Sequence, residues 1–320
     1  MKMSIKTLKI SSFLISVFLI GGGLLEVGRE DVGDILASGA ALILACLLIG
    51  AAAPAANAVF REKNVRDEKS VAKRISLFVF GIFASVAAIF VAVGTARDFS
   101  ILASDVLLLR APSVLVLILF LLFCGYLASK GGEVIKKFAF ISMLLLGSGA
   151  ILLILLSLPQ LSPGNAAPTD ELRFDLSAVI SRLLKMFAPV CVAVVFLACE
   201  RRQDEKLAIY PRCAVAGILI GSAVLSICRL NVLLLFGKDF AQTEALPYAA
   251  AVSTISAGKL FLRMEGLSYL MYFLSTAVRA TVSIGTVAAI LSKLLPRRAK
   301  KSVLALITAV IVFVIASVTQ

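Results

Sequence analysis

Polar residues interrupt this chain at regular intervals. Between them lie uncharged or nearly uncharged runs at residues 10–25, 35–52, 75–96, 111–129, 138–158, 179–199, 213–236, 267–292 and 302–318. A helix needs about 20 mostly apolar residues to cross a bilayer, so the pattern predicts nine transmembrane helices. Two runs are weaker. The first is short and broken by Gly21, Gly22 and Gly23, and the sixth reaches full length only by taking in Arg182 and Lys185. The fold class that follows is an all-α polytopic membrane protein, one membrane domain over residues 1–320.

The charges between the runs test this count. With the N-terminus in the cytoplasm, the segments left inside are 1–9, 53–74, 130–137, 200–212 and 293–301, with 21 Lys and Arg against 7 Asp and Glu. The segments left outside, 26–34, 97–110, 159–185 and 237–266, hold 9 against 12. Cytoplasmic loops are enriched in Lys and Arg, so the asymmetry orients the chain with its C-terminus outside. Topology thus explains the net charge of +13 without nucleic acid.

Composition agrees. Sixty per cent of the 320 residues are apolar and 16% are charged, where soluble chains are roughly half apolar and about a quarter charged. A soluble enzyme is excluded on that ground. The chain has no His, which removes His-based acid–base catalysis and most zinc sites. No paired acids or activated nucleophile stand in the spans, so neither an enzyme nor a cofactor is expected. The six Cys residues show no CxxC spacing and lie in or beside apolar runs, which reads as small buried hydrophobes.

Backbone at membrane depth must find hydrogen-bond partners, so breaks in the runs are informative. Gly21-Gly22-Gly23 in the first and Phe187-Ala188-Pro189 in the sixth each admit two readings. One is close helix packing, or a plain proline kink. The other is an unwound pair of helices at matching places of two five-helix halves, the pointer to a transporter-like ligand site. The second makes Gly21, Gly22, Gly23, Phe187, Ala188 and Pro189 candidate ligand-binding residues. Arg279 stands mid-span, where charge is costly and needs a partner; Glu265, Asp34 or a helix C-terminus are candidates. Arg229 is less central and can snorkel. Arg263 and Glu265, two apart at the mouth of the eighth span, point to different helix faces. With Arg279 they form a candidate charge and gating set. The segment 241–256 reads as a short external helix over the site.

Four stretches, taken in order, resemble one family. They are Gly21-Gly22-Gly23 with Gly28-Arg29-Glu30-Asp31; Ala111-Pro112 followed by Tyr126-Leu127-Ala128 and Gly132-Glu133-Val134-Ile135; Gly237-Lys238-Asp239 with Pro247; and Arg263-Met264-Glu265 before a span containing Arg279. The pattern is similar to the B-subunit family of spore germinant receptors, the GerAB-type spore permeases of the amino acid–polyamine–organocation superfamily. Departures are Ala111 where the family has Thr, Leu262 in place of the first acid of its acidic–Arg–x–acidic motif, and the absence of Trp.

The resemblance implies an inverted repeat of five plus five helices, with helices 1 and 6 unwound at the ligand. Residues 1–158 would form the first repeat and 159–320 a second, incomplete one lacking a clear tenth helix. It also implies a membrane subunit of a nutrient germinant receptor in the cell membrane or spore inner membrane. That subunit would bind a small nutrient such as an amino acid, beside an A-type membrane subunit and a C-type lipoprotein. A free-standing secondary amino acid transporter is the alternative.

Overall fold

A computed structural model describes residues 2–24, 38–50, 71–104, 111–166, 176–200, 209–243, 248, 250, 252, 265–295 and 300–319. Among them lie nine helices longer than one or two turns, and no strand. They are α1 (Lys2–Gly23), α2 (Ser38–Gly50), α3 (Val71–Leu102), α4 (Ser113–Ser129), α5 (Gly132–Ser157), α6 (Leu176–Cys199), α7 (Ile209–Thr243), α8 (Glu265–Leu294) and α9 (Lys301–Val318). Six of them, α3 and α5–α9, are long and apolar enough to cross a membrane; α2, α4 and the apolar part of α1 are shorter. Each follows one of the nine apolar runs.

Local chemistry sets several boundaries. Pro112, extended at φ −61° and ψ 128°, precedes α4, and its carbonyl accepts the Leu115 N–H at 2.9 Å. Gly131, at φ 95°, makes the tight reversal between α4 and α5, a backbone region glycine enters at little cost. Gly237, at φ 74° and ψ 176°, interrupts α7 where the seventh apolar run ends. The carbonyls exposed there are capped from the α5–α6 connection: Asn165 Nδ2 donates to Leu234 O and Leu235 O, both at 3.1 Å, and the Ser162 N–H donates to Leu234 O at 3.1 Å.

Helix α8 is the centre of the bundle. It packs against α1, α3, α4, α5, α6 and α9 and divides the interior into two hydrophobic clusters. Val278, Val282 and Ile290 join the cluster built from α1, α5, α6 and α7. Ala277, Ala280, Ile284 and Ala288 join the one built from α3, α4 and α9. Apolar side chains on α3, α5 and α9, among them Phe83, Phe90, Ile151 and Val310, are exposed, as lipid-facing side chains are.

The α1–α7 contact is made by small residues. Gly217 stands against the Ser12 carbonyl and Ile15, and Gly221 against the Ser16 backbone. Ser16 Oγ donates to Gly217 O at 2.8 Å. This is a small-xxx-small interface. At the bundle end carrying the α4–α5 turn, the Glu200 carboxylate faces the first residue of α5, Gly132, and pairs with Lys301 at the start of α9. An anion is favoured at a helix N-terminus, so Glu200 ties α5, α6 and α9 together.

Gly217→Leu should therefore lower the thermal unfolding midpoint of the detergent-solubilised protein, because overpacking costs about 1–3 kcal/mol. Gly147→Ala on α5, where a Cβ meets nothing, should not. In a double-mutant cycle, Glu200→Gln and Lys301→Met should couple by roughly 0.5–3 kcal/mol.

Candidate ligand site

Helix α1 closes on its three glycines, inside the bundle. Each glycine admits a different neighbour. A Cβ on Gly21 would run into the Ser275 carbonyl of α8, one on Gly22 into the Arg279 guanidinium, and one on Gly23 into Leu225 of α7. Arg279, at the midpoint of α8, thus reaches the last turn of α1. Its Cζ also lies 5.6 Å from the centre of the Phe18 ring, a cation–π distance. Two turns earlier on α8, Tyr272 Oη donates to Leu24 O at 3.4 Å. Tyr248 stands edge-on to Tyr272, ring centres 6.3 Å apart.

Beside this junction lies a cavity of about 260 Å³. Its walls are Phe18, Gly22 and Gly23 from α1, Ser38 and Leu42 from α2, Pro189 and Val190 from α6, Ser222, Ser226 and Arg229 from α7, and Arg279 from α8. Arg229 donates to Ser38 Oγ at 3.2 Å, and Arg182 of α6 donates to the same oxygen. Two cations therefore stand in the wall itself, and a third is one hydroxyl away.

Gly22, Gly23, Pro189 and Arg279 thus come together. Gly21 serves packing against α8, and Phe187 packs on the main core cluster. Arg263 and the side chains of Ala188 and Glu265 lie outside the described residues, as does Asp34. The expected break in α6 is not there: α6 is continuous from Leu176 to Cys199 with Pro189 inside it. Proline removes one hydrogen bond to the carbonyl of Lys185, and the rest of the ladder carries the helix on. The glycines of α1 form its last helical turn, and residues 25–37, which follow, lie outside the described residues. Arg229 does not snorkel; it turns inward to Ser38. Of the segment 241–256, residues 241–243 close α7, the described residues 248, 250 and 252 are helical, and Tyr248 and Val252 are buried in the main core. Ser38, near the start of an apolar run, and Arg182, inside one, carry no sequence signal that marks them as cavity residues. None of the six cysteines forms a disulfide.

The family model for spore germination proteins matches residues 5–320. The chain belongs to the spore germination protein family. Solved transporters share the fold of this family member. A nucleobase-cation-symport-1 family transporter, in a closed conformation with bromovinylhydantoin bound, superposes with a TM-score of 0.68 at 13% identity, over 96% of this chain and 70% of that one. A Na⁺-coupled sialic acid symporter in a substrate-bound outward-open state gives 0.62 at 14% identity, over 97% and 72%. Among curated proteins, none matches the chain in sequence. The motif resemblance is borne out, and the protein is a transporter-like membrane member of the spore permease family.

Gly22→Val should displace the Arg279 guanidinium and destabilise the folded protein by about 1–3 kcal/mol. Tyr272→Phe, which removes only the donor to Leu24 O, should cost about 0.5–1.5 kcal/mol. Thermal unfolding of the purified variants checks both.

Proposed function

We propose that this protein is the ligand-binding membrane subunit of a nutrient germinant receptor and that the cavity between α1, α2, α6, α7 and α8 is its nutrient site. The observation that carries this reading is the cavity at the glycine end of α1, with guanidinium groups in its wall. Polar groups are few inside a membrane protein and mark ligand paths when they converge. A volume of about 260 Å³ lies between the roughly 150 Å³ that holds benzene and the lower end, about 300 Å³, of drug-sized pockets. It suits a metabolite of amino-acid size. Family membership supports the germination role.

In this reading Gly22 and Gly23 shape the site from α1, Phe187, Ala188 and Pro189 form the facing wall on α6, and Gly21 fixes α1 on α8. Arg279 couples ligand to helix position, and Arg263 and Glu265 guard the mouth of α8. The nine helices cross the membrane with the N-terminus in the cytoplasm and the C-terminus outside. They form two related units, residues 1–158 and 159–320, in the inverted-repeat manner. A ligand that binds one arrangement of α1 against α8 better than another shifts the population, and an A-type membrane subunit and a C-type lipoprotein read the shift. The fold likeness to symporters favours a second reading, a free-standing secondary transporter for amino acids.

A mild-detergent pull-down of the tagged chain from spore membranes separates the two. Co-purification of a second membrane subunit and a lipoprotein is the expected result. A chain that purifies alone and drives amino acid flux in liposomes would establish the transporter reading instead.

A further inference from the structure

The end of the bundle that carries the α4–α5 turn gathers cations beside a lipid-facing apolar surface. We propose that this end binds a phospholipid with an anionic headgroup. Its phosphate is held by Lys130 and Lys300, and its acyl chains lie along the outer faces of α4 and α9. The proposal concerns the outside of the bundle and is independent of the cavity.

Three observations carry it. The first is charge. The contacts of Glu200 with Gly132 and Lys301 bring three connections to one end of the bundle. Residues 130–137 hold three Lys and Arg against one acid, 200–212 four against three, and 293–301 five against none. The other segments expected on this side, 1–9 and 53–74, hold three against none and six against three, so no segment here brings an acidic excess. Lys130, Lys137 and Lys300 are exposed. Lysines at a membrane surface attract anionic lipid over about a Debye length, whereas a zwitterionic headgroup brings its own ammonium to them. The second is depth. Tyr126 is exposed one turn before Lys130, and Lys130 Nζ lies 4.8 Å from the centre of its ring. Tyrosine collects where hydrocarbon meets headgroups, so the stacked pair puts this ammonium at the level of lipid phosphates. The third is the surface below. Gly125 of α4 lies directly against Ala309 of α9, and Leu306 reaches the same glycine. Leu122 and Tyr126 on α4, and Val303 and Leu306 on α9, are exposed. Two closely packed helices thus offer acyl chains an apolar face under the lysines.

The test is native mass spectrometry of the full chain in detergent, titrated with phosphatidylglycerol or phosphatidylcholine of matched acyl chains. One lysine near an anionic surface is worth roughly a fivefold change in affinity. Phosphatidylglycerol should therefore bind at least about tenfold more tightly than phosphatidylcholine, and added salt should narrow the difference. Lys130→Gln and Lys300→Gln should each weaken phosphatidylglycerol about fivefold, and together roughly 25-fold, with phosphatidylcholine unchanged. Lys130→Arg with Lys300→Arg should keep the preference. Arg97→Gln, an exposed cation in the last turns of α3, should keep it too. A photoreactive phosphatidylglycerol should label α4 and α9 of the unmodified protein, a measurement that needs no variant to fold. Equal binding of the two lipids overturns the proposal. So does a preference that survives the double glutamine variant, or one that Arg97→Gln weakens as much. Displacement of phosphatidylglycerol by millimolar inorganic phosphate would mark a site for free anions and overturn the lipid assignment.

Discussion

A guanidinium at the midpoint of the most enclosed helix sets the terms for the rest of the bundle. Charge at membrane depth costs at least about 2.5 kcal/mol on insertion scales unless protein or water receives it. Arg279 lies against Gly22 at the end of α1 and over the face of Phe18. That solution has consequences. The last residues of α1 stand inside the bundle, where the Leu24 carbonyl takes its donor from Tyr272 of α8. Position 22 must be glycine, because the guanidinium occupies the space of a side chain. The adjoining Gly21 lets α1 come down on the α8 backbone, which brings Arg279 within reach in the first place.

The composition of α8 follows from its place. It is the least apolar of the six long spans and the most buried. Ser275, Thr276, Ser283 and Thr286 are buried on it, and each hydroxyl bonds back to a carbonyl three or four residues earlier on the same helix. Hydroxyls satisfied in this way cost little and keep the helix slim, so six helices can approach it. The lipid-facing helices carry the bulkier apolar side chains. A core of small and hydroxylated residues with a greasier exterior is the arrangement expected where lipid tails are as apolar as any side chain and association rests on packing.

The helices were legible because bilayer thickness imposes one length on every crossing segment, and the apolar runs record it. Gly131 and Gly237 mark turns that the charged segments already announced. The site was legible in part. The glycine triplet and Arg279 stand out because each breaks a rule of its helix. Arg182 and Arg229 did not, since a cation near the end of an apolar run reads equally well as a snorkelling anchor, and only the position of α2 shows that both turn to Ser38. Pro189 misled in the opposite direction. A single missing hydrogen bond does not unwind a helix whose flanks are buried, and α6 runs through it. Gly217 and Gly221 sit four apart in plain view, yet their spacing names no partner until α1 lies across them.

The members of the glycine triplet stand in different surroundings. Gly21 is a packing residue and does not line the cavity, whereas Gly22 and Gly23 do. This division couples the site to the fold. A ligand that contacts Gly22 and Arg279 touches the junction that fixes the end of α1 on α8. The same junction holds Tyr272, which is packed by Tyr248 from the segment between α7 and α8. In the proposed reading, occupancy of the cavity would bear on the end of α1 and, through the tyrosine pair, on Tyr248 beyond α7. In the receptor reading proposed above, a signal to a neighbouring subunit would need such a link between a small ligand and a long element, and one charge, one hydroxyl and the absence of a side chain at position 22 would supply it.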